Sequence, residues 1–211
     1  MKKAFVLFLS VFLVLFSFSS SSSVANAEEK SVKDTMQIDL LKIKNFNDVL
    51  DSLSQDKKDI ISSFWFDETI KSGVINIYNK DENKYYNLYV EKDRITYYST
   101  QYYIDSKKED ANFELYSINK DNSFEYEFTS SIVKETGQVQ HSMAKAAVSN
   151  SVYKWACIFS SRVACVAAAG TLGFGVAGPF GATAAVAACG YLFGTLVEKY
   201  GSKGAACKIL S

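Results

Sequence analysis

Between Asn45 and Phe66 the apolar residues Phe46, Val49, Leu50, Leu53, Ile60 and Ile61 recur at roughly helical spacing. This predicts a helix whose start Asn45 or Asn47 would cap. After Gly73 the period shifts towards two. Val74–Tyr78, Tyr85–Val90, Arg94–Ser99, Asn112–Ile118 and Phe124–Thr129 are short runs rich in aromatic and β-branched residues. Polar clusters separate them, among them Asn79-Lys80-Asp81-Glu82-Asn83, Glu91-Lys92-Asp93 and Asn119-Lys120-Asp121-Asn122. Such runs predict strands joined by tight turns, hence an antiparallel meander with the helix on one face. The tyrosines of residues 28–130 read most simply as a half-buried sheet face. Ser130–Ser151 is polar and small and includes Gly137, so it predicts a boundary or linker.

Beyond that boundary the pattern changes again. Met143–Ala169 reads as helix. Gly170–Gly181 holds five glycines and Pro179 and breaks it, and Ala182–Tyr200 resumes as helix. Two helices and one loop make an antiparallel hairpin with Gly173, Gly175, Gly178 and Pro179 at its bend. From Val163 to Val197 there is no charged residue, and Ala, Gly, Val, Leu and Phe dominate. Neither arm has the roughly 20 uninterrupted apolar residues of a membrane span, so secretion followed by insertion fits better than permanent residence in a bilayer. Tyr153, Trp155, Tyr191 and Tyr200 flank the run and suit a membrane interface, with Lys154, Arg162 and Lys199 near head groups. The competing reading is a buried helix pair inside an ordinary secreted protein.

All four cysteines, Cys157, Cys165, Cys189 and Cys207, lie in this last quarter. An even count in an exported chain predicts two disulfides, with three possible pairings. Two positions eight residues apart on one helix lie about 12 Å apart along its axis, whereas a disulfide needs Cα atoms within about 7 Å. Cys157 and Cys165 must then bond across the hairpin. Cys165 and Cys189 are equally far from position 177, so the nested pairs Cys165–Cys189 and Cys157–Cys207 are favoured. The cysteines lack the close Cys-x-x-Cys spacing of zinc sites, and the chain has one histidine, His141.

The N-terminus reads as an export signal. Lys2 and Lys3 precede an apolar stretch, and Ala25-Asn26-Ala27 has the small-x-small form that signal peptidase reads, which places the cut between Ala27 and Glu28. The formal net charge is +0, but residues 28–140 carry 15 Lys and Arg against 22 Asp and Glu, a net of −7. Residues 141–211 carry six Lys and Arg against Glu198 alone, a net of +5. The two parts are suited to neutralise each other, and a basic apolar segment freed from its acidic companion is drawn to anionic lipid.

Catalysis and cofactor chemistry find little footing. Gly173-Phe174-Gly175-Val176-Ala177-Gly178 matches a dinucleotide fingerprint, but Pro179 follows at once and no strand–helix–strand context surrounds it. No Gly-x-Ser-x-Gly elbow accompanies His141. The reading is therefore no enzyme, no cofactor, no metal and no nucleic-acid partner.

The segments Trp155-Ala156-Cys157, Val163-Ala164-Cys165-Val166-Ala167-Ala168-Ala169-Gly170, Ala188-Cys189-Gly190-Tyr191 and Ala206-Cys207 resemble the halocin-like bacteriocins. Those are Cys-, Gly- and Ala-rich peptides encoded at the end of a longer secreted precursor. The resemblance implies that the N-terminal portion is removed and can act as an immunity partner. The expected organisation is a signal peptide at 1–27, an acidic α+β pro-domain at 28–130 and a processing linker at 131–151. A disulfide-braced, all-α, basic helical hairpin follows at 152–211. The expected function is a secreted antimicrobial precursor whose C-terminal peptide, released by proteolysis, permeabilises target-cell membranes. Its expected partners are target lipids, its own pro-domain, signal peptidase and a processing protease. The signal lacks a twin-arginine pair, which points to the general secretory route, and a Gram-positive producer is expected. The alternative is an uncleaved secreted or surface interaction protein with the hairpin as core or anchor.

Overall fold

Seven strands form one antiparallel sheet in strict chain order, each hydrogen-bonded to the next. The strands are β1 (Ile60–Asp67), β2 (Ser72–Asn79), β3 (Lys84–Glu91), β4 (Arg94–Asp105), β5 (Asp110–Ile118), β6 (Phe124–Val133) and β7 (Gln138–Met143). The computed structural model describes residues 37–67, 69, 71–105, 110–133, 135–144, 147–166, 168 and 178–210. The signal-peptide and cleavage positions, Ala27 and Glu28 included, lie outside the described residues, as do Gly173 and Gly175.

Polar clusters make the turns because their residues tolerate left-handed backbone. Asn83 (φ 49°), Lys92 (φ 60°) and Asn122 (φ 65°) sit at the reversals after β2, β3 and β5, and Gly137 (φ 65°) at the one between β6 and β7. Alternation then divides the sheet into two covered faces. On one face Ile75, Ile77, Leu88, Val90 and Ile95 pack against Ile38, Ile43, Phe46, Val49 and Leu50. The last three belong to α1 (Phe46–Ser52). On the other face Val74, Tyr89, Tyr97, Phe113, Leu115 and Phe128 meet the C-terminal helices.

Those helices are α2 (Asn150–Ile158), α3 (Arg162–Val166), α4 (Gly178–Tyr200) and α5 (Lys203–Leu210). Serines start three of them. Ser149 Oγ accepts from Val152 N, Ser161 Oγ from Ala164 N and Ser202 Oγ from Ala205 N, at 3.2, 3.1 and 3.1 Å. Gly201, at φ 77°, ends α4. Met36–Ser211 forms one compact unit.

The expected helix over 45–66 is confined to Phe46–Ser52. Ser54, at φ 55°, turns the chain away. Ile60 and Ile61 open β1 because the run that follows them, Ser-Ser-Phe-Trp-Phe, favours a pleated surface. The expected helix over 143–169 is divided at Phe159–Ser161 into α2 and α3. The stretch expected as a linker, 131–151, contains the end of β6 and all of β7. The expected second arm, Ala182–Tyr200, is present within α4, and α5 follows it beyond Gly201. Gly178 and Pro179, expected in the bend, open α4; a proline in a first turn lacks only an N–H that would be unbonded there.

Gly73 fixes how closely β1 and the segment before α1 approach β2. A Cβ there would lie 2.7 Å from Phe64 O, 2.8 Å from Ile38 Cδ1 and 2.9 Å from Trp65 Cε3. The carbonyl belongs to a ladder and has no room to yield. Gly73→Ala is expected to cost about 1–3 kcal/mol of stability by overpacking, read as a lower urea midpoint at unchanged slope.

Candidate functional site

Of the residues singled out by the sequence, Tyr153, Trp155, Cys157, Cys165, Cys189, Tyr191 and Tyr200 lie in or against the core between the sheet and the four C-terminal helices. Two disulfides brace the helices internally. Cys157 on α2 bonds Cys207 on α5 with Cα atoms 5.5 Å apart, and Cys165 on α3 bonds Cys189 on α4 at 6.0 Å. The arrangement is nested, and each bond joins two different helices. Disulfides of this kind belong to an oxidising compartment. Both lie wholly within residues 157–207, so neither ties the helices to the sheet.

Trp155 is the centre of the contact. It is fully buried, edge-on to Tyr89 at 5.5 Å and to Phe159 at 5.0 Å, with Phe113 at 5.9 Å. Its indole N–H has no hydrogen-bond partner. Ala184, Ala185, Ala188, Leu192 and Leu196 of α4 complete the same core. The small side chains let α4 lie close to the strands. A cluster of this composition draws its stability from removing apolar area from water, at about 25 cal/mol per Å².

Of the aromatic residues expected at a membrane interface, Trp155 and Tyr153 are buried in the protein. Tyr153 meets Tyr200 edge-on at 5.7 Å, and Lys199 Nζ lies 5.0 and 5.2 Å from their ring centroids. Tyr191 stacks on His141 at 4.1 Å. Lys154 and Arg162 are exposed; the Arg162 guanidinium lies against α4 at Gly190, where an added Cβ would sit 3.0 Å from Nη2.

A polar clasp closes one end of the contact. Glu127, 3% exposed, accepts from Ser117 Oγ at 2.9 Å and from Ser149 Oγ at 2.8 Å. Ser149 is the residue that caps α2, so one carboxylate holds both the sheet and the helix start. Tyr97 donates to Ser151 O at 3.0 Å, and burial pushes its phenol up to about 12. Ala144 N donates to Glu127 O at 3.2 Å. Glu91, Glu125 and Glu127 line a cavity of about 770 Å³ with Lys154.

Glu127 was hidden from the sequence. It is the extra residue of a bulge, since Leu115 pairs with Phe128 and Tyr116 with Tyr126; simple alternation misplaces it. Among the described residues no helix is long and apolar enough to cross a membrane. Among those residues, too, no group of three or more His, Cys, Asp or Glu is placed to hold a metal ion. Gly178 is the one glycine of the dinucleotide-like motif among the described residues, and it opens a helix.

No family model, curated protein or solved structure matches the chain.

Trp155→Ala is expected to cost about 3–5 kcal/mol, as for other buried aromatic truncations. Urea unfolding measures the loss. Hydrogen exchange should show it first in α2 and in the strands carrying Tyr89 and Phe113.

Proposed function

We propose that the chain is a secreted antimicrobial precursor in which the sheet shields a membrane-active helical peptide. One observation carries the reading. A basic, separately cross-linked set of helices buries its apolar faces on an acidic sheet, and the backbone joins the two through the single connection between Met143 and Asn150. One cut in that connection divides the chain into two pieces with no disulfide between them.

The acidic portion keeps the helices soluble during export by the general secretory route. Proteolysis then cuts the connection, the helices leave the sheet once anionic lipid offers a competing surface, and the disulfides keep the peptide's helices together. Lys154, Arg162, Lys199, Lys203 and Lys208 draw it to anionic lipid. Trp155, Tyr153 and the α4 apolar face exchange the sheet for the head-group and acyl boundary. The freed sheet retains the complementary surface and serves the producer as a neutralising partner.

The second reading, an uncleaved secreted or surface protein, is favoured by the continuity of the core. Trp155 and Leu192 fill the same cluster as Phe113 and Phe128, as they would in a protein never meant to come apart.

The test uses the oxidised exported chain, whole or cut once between Met143 and Asn150, added at micromolar concentration to dye-loaded anionic vesicles. The precursor reading expects no leakage from the whole chain and leakage from the cut one. Equal inertness of both, with the disulfides intact, overturns it.

A further inference from the structure

His141, the only histidine of the chain, stands on the edge strand β7 and is one corner of a three-ring cluster. Its ring lies 4.1 Å from Tyr191 of α4 and 5.6 Å from Phe128 of β6, with Phe128 and Tyr191 5.9 Å apart. Beside it in register is Ser130. Ser130 Oγ and His141 Nδ1 are both buried and both lack a hydrogen-bond partner. The cluster is thus a direct contact between the sheet's last strand and α4.

The charged groups around it are of both signs. Arg162 of α3, Glu198 of α4 and His141 line one cavity of about 710 Å³ together with Tyr191. Arg162 rests on Gly190, the residue next to Tyr191. Glu198 is seven residues, about 10 Å along the helix axis, from Tyr191. Among the described residues lining this cavity, β6 supplies no ionisable group and β7 none but His141. A protonated imidazole gains cation–π attraction from two rings, about 0.5–1 kcal/mol each at exposed sites. It loses hydration and adds a second cation to a cavity that holds Arg162 and Glu198. Burial holds the imidazole below its ordinary value, so the losses outweigh the gains.

We propose that His141 makes the sheet's hold on α4 acid-sensitive: protonation in a mildly acidic medium loosens the cluster of His141 with Tyr191 and Phe128 and lets β7 part from the helix. The inference rests on the shielding role proposed above and assigns that shield a trigger. The sign follows from linkage. The folded ring titrates below the unfolded one, so the contribution of the neutral ring is complete above the unfolded value of about 6.5 and declines as pH falls through it.

The test is a proton-NMR titration of the full oxidised chain, in which the imidazole signal is unambiguous. It is followed by hydrogen exchange at pH 7.5 and pH 5, corrected for the intrinsic rate. The expected midpoint lies below about 6.5, with the ring signals of Tyr191 and Phe128 moving in step. Amide exchange in β7 and around Tyr191 should rise several-fold at the lower pH while α1 stays unchanged. His141→Phe, which keeps a ring in the cluster, should abolish that rise. A midpoint at or above 6.5, or the same acid loosening in His141→Phe, overturns the proposal. The titration needs no variant, so a misfolded substitution leaves the answer intact. Neither readout involves lipid, so failure here is separable from failure of the vesicle experiment.

Discussion

The indole of Trp155, set among Tyr89, Phe113 and Phe159, holds together two portions of opposite charge that share no disulfide. Around it the sheet offers large rings and branched side chains, and α4 offers alanines. The fit depends on both. Larger residues on α4 would lift it from the strands, and smaller ones on the sheet would leave voids that a packed interior does not tolerate without loss. The other face of the sheet is closed independently by α1 and the segment before it. The sheet therefore has its own apolar core besides the one it shares with the helices.

Covalent structure and packing divide the molecule along the same line. Cys157–Cys207 and Cys165–Cys189 restrict only the helical part. Such bonds stabilise chiefly by limiting the unfolded chain, typically about 2–4 kcal/mol each. That matters for a segment of this size, too small to build a large core alone. The polar clasp of Glu127, Ser117, Ser149 and Tyr97 sits where the backbone passes from sheet to helix. It orders the start of α2 and leaves the rest of the contact to apolar packing. A molecule arranged in this way keeps its apolar helices out of water while whole, and keeps the helical portion cross-linked if the connection is cut.

The meander was legible because each reversal is marked by a polar cluster carrying Asn, Lys or Asp, and left-handed backbone is found there at Asn83, Lys92 and Asn122. β1 was not, because Ile60 and Ile61 fall in phase with the helical residues before them. β7 escaped notice because Gln138–Met143 is an edge strand with few apolar residues, so it shows no strong alternation. Symmetry about the glycine-rich turn favoured the nested cysteine pairs, although the first arm behind that argument is divided into α2 and α3 while the second is the single helix α4. The direction in which Trp155 and Tyr153 face was beyond the sequence. Aromatic residues flanking an apolar run have the same pattern whether they meet head groups or a sheet. Glu127 turns inward through a bulge, a one-residue shift that no periodicity announces.

The account rests on non-covalent contact, chiefly apolar, joining the sheet to a self-contained set of helices. The most direct measurement is size-exclusion chromatography of the oxidised chain after a single cut between β7 and α2, run in native buffer and again in urea without reductant. The account predicts one species in native buffer and two in urea, with both disulfides recovered in the smaller piece. Two species already in native buffer, or one species that persists in urea, would contradict it.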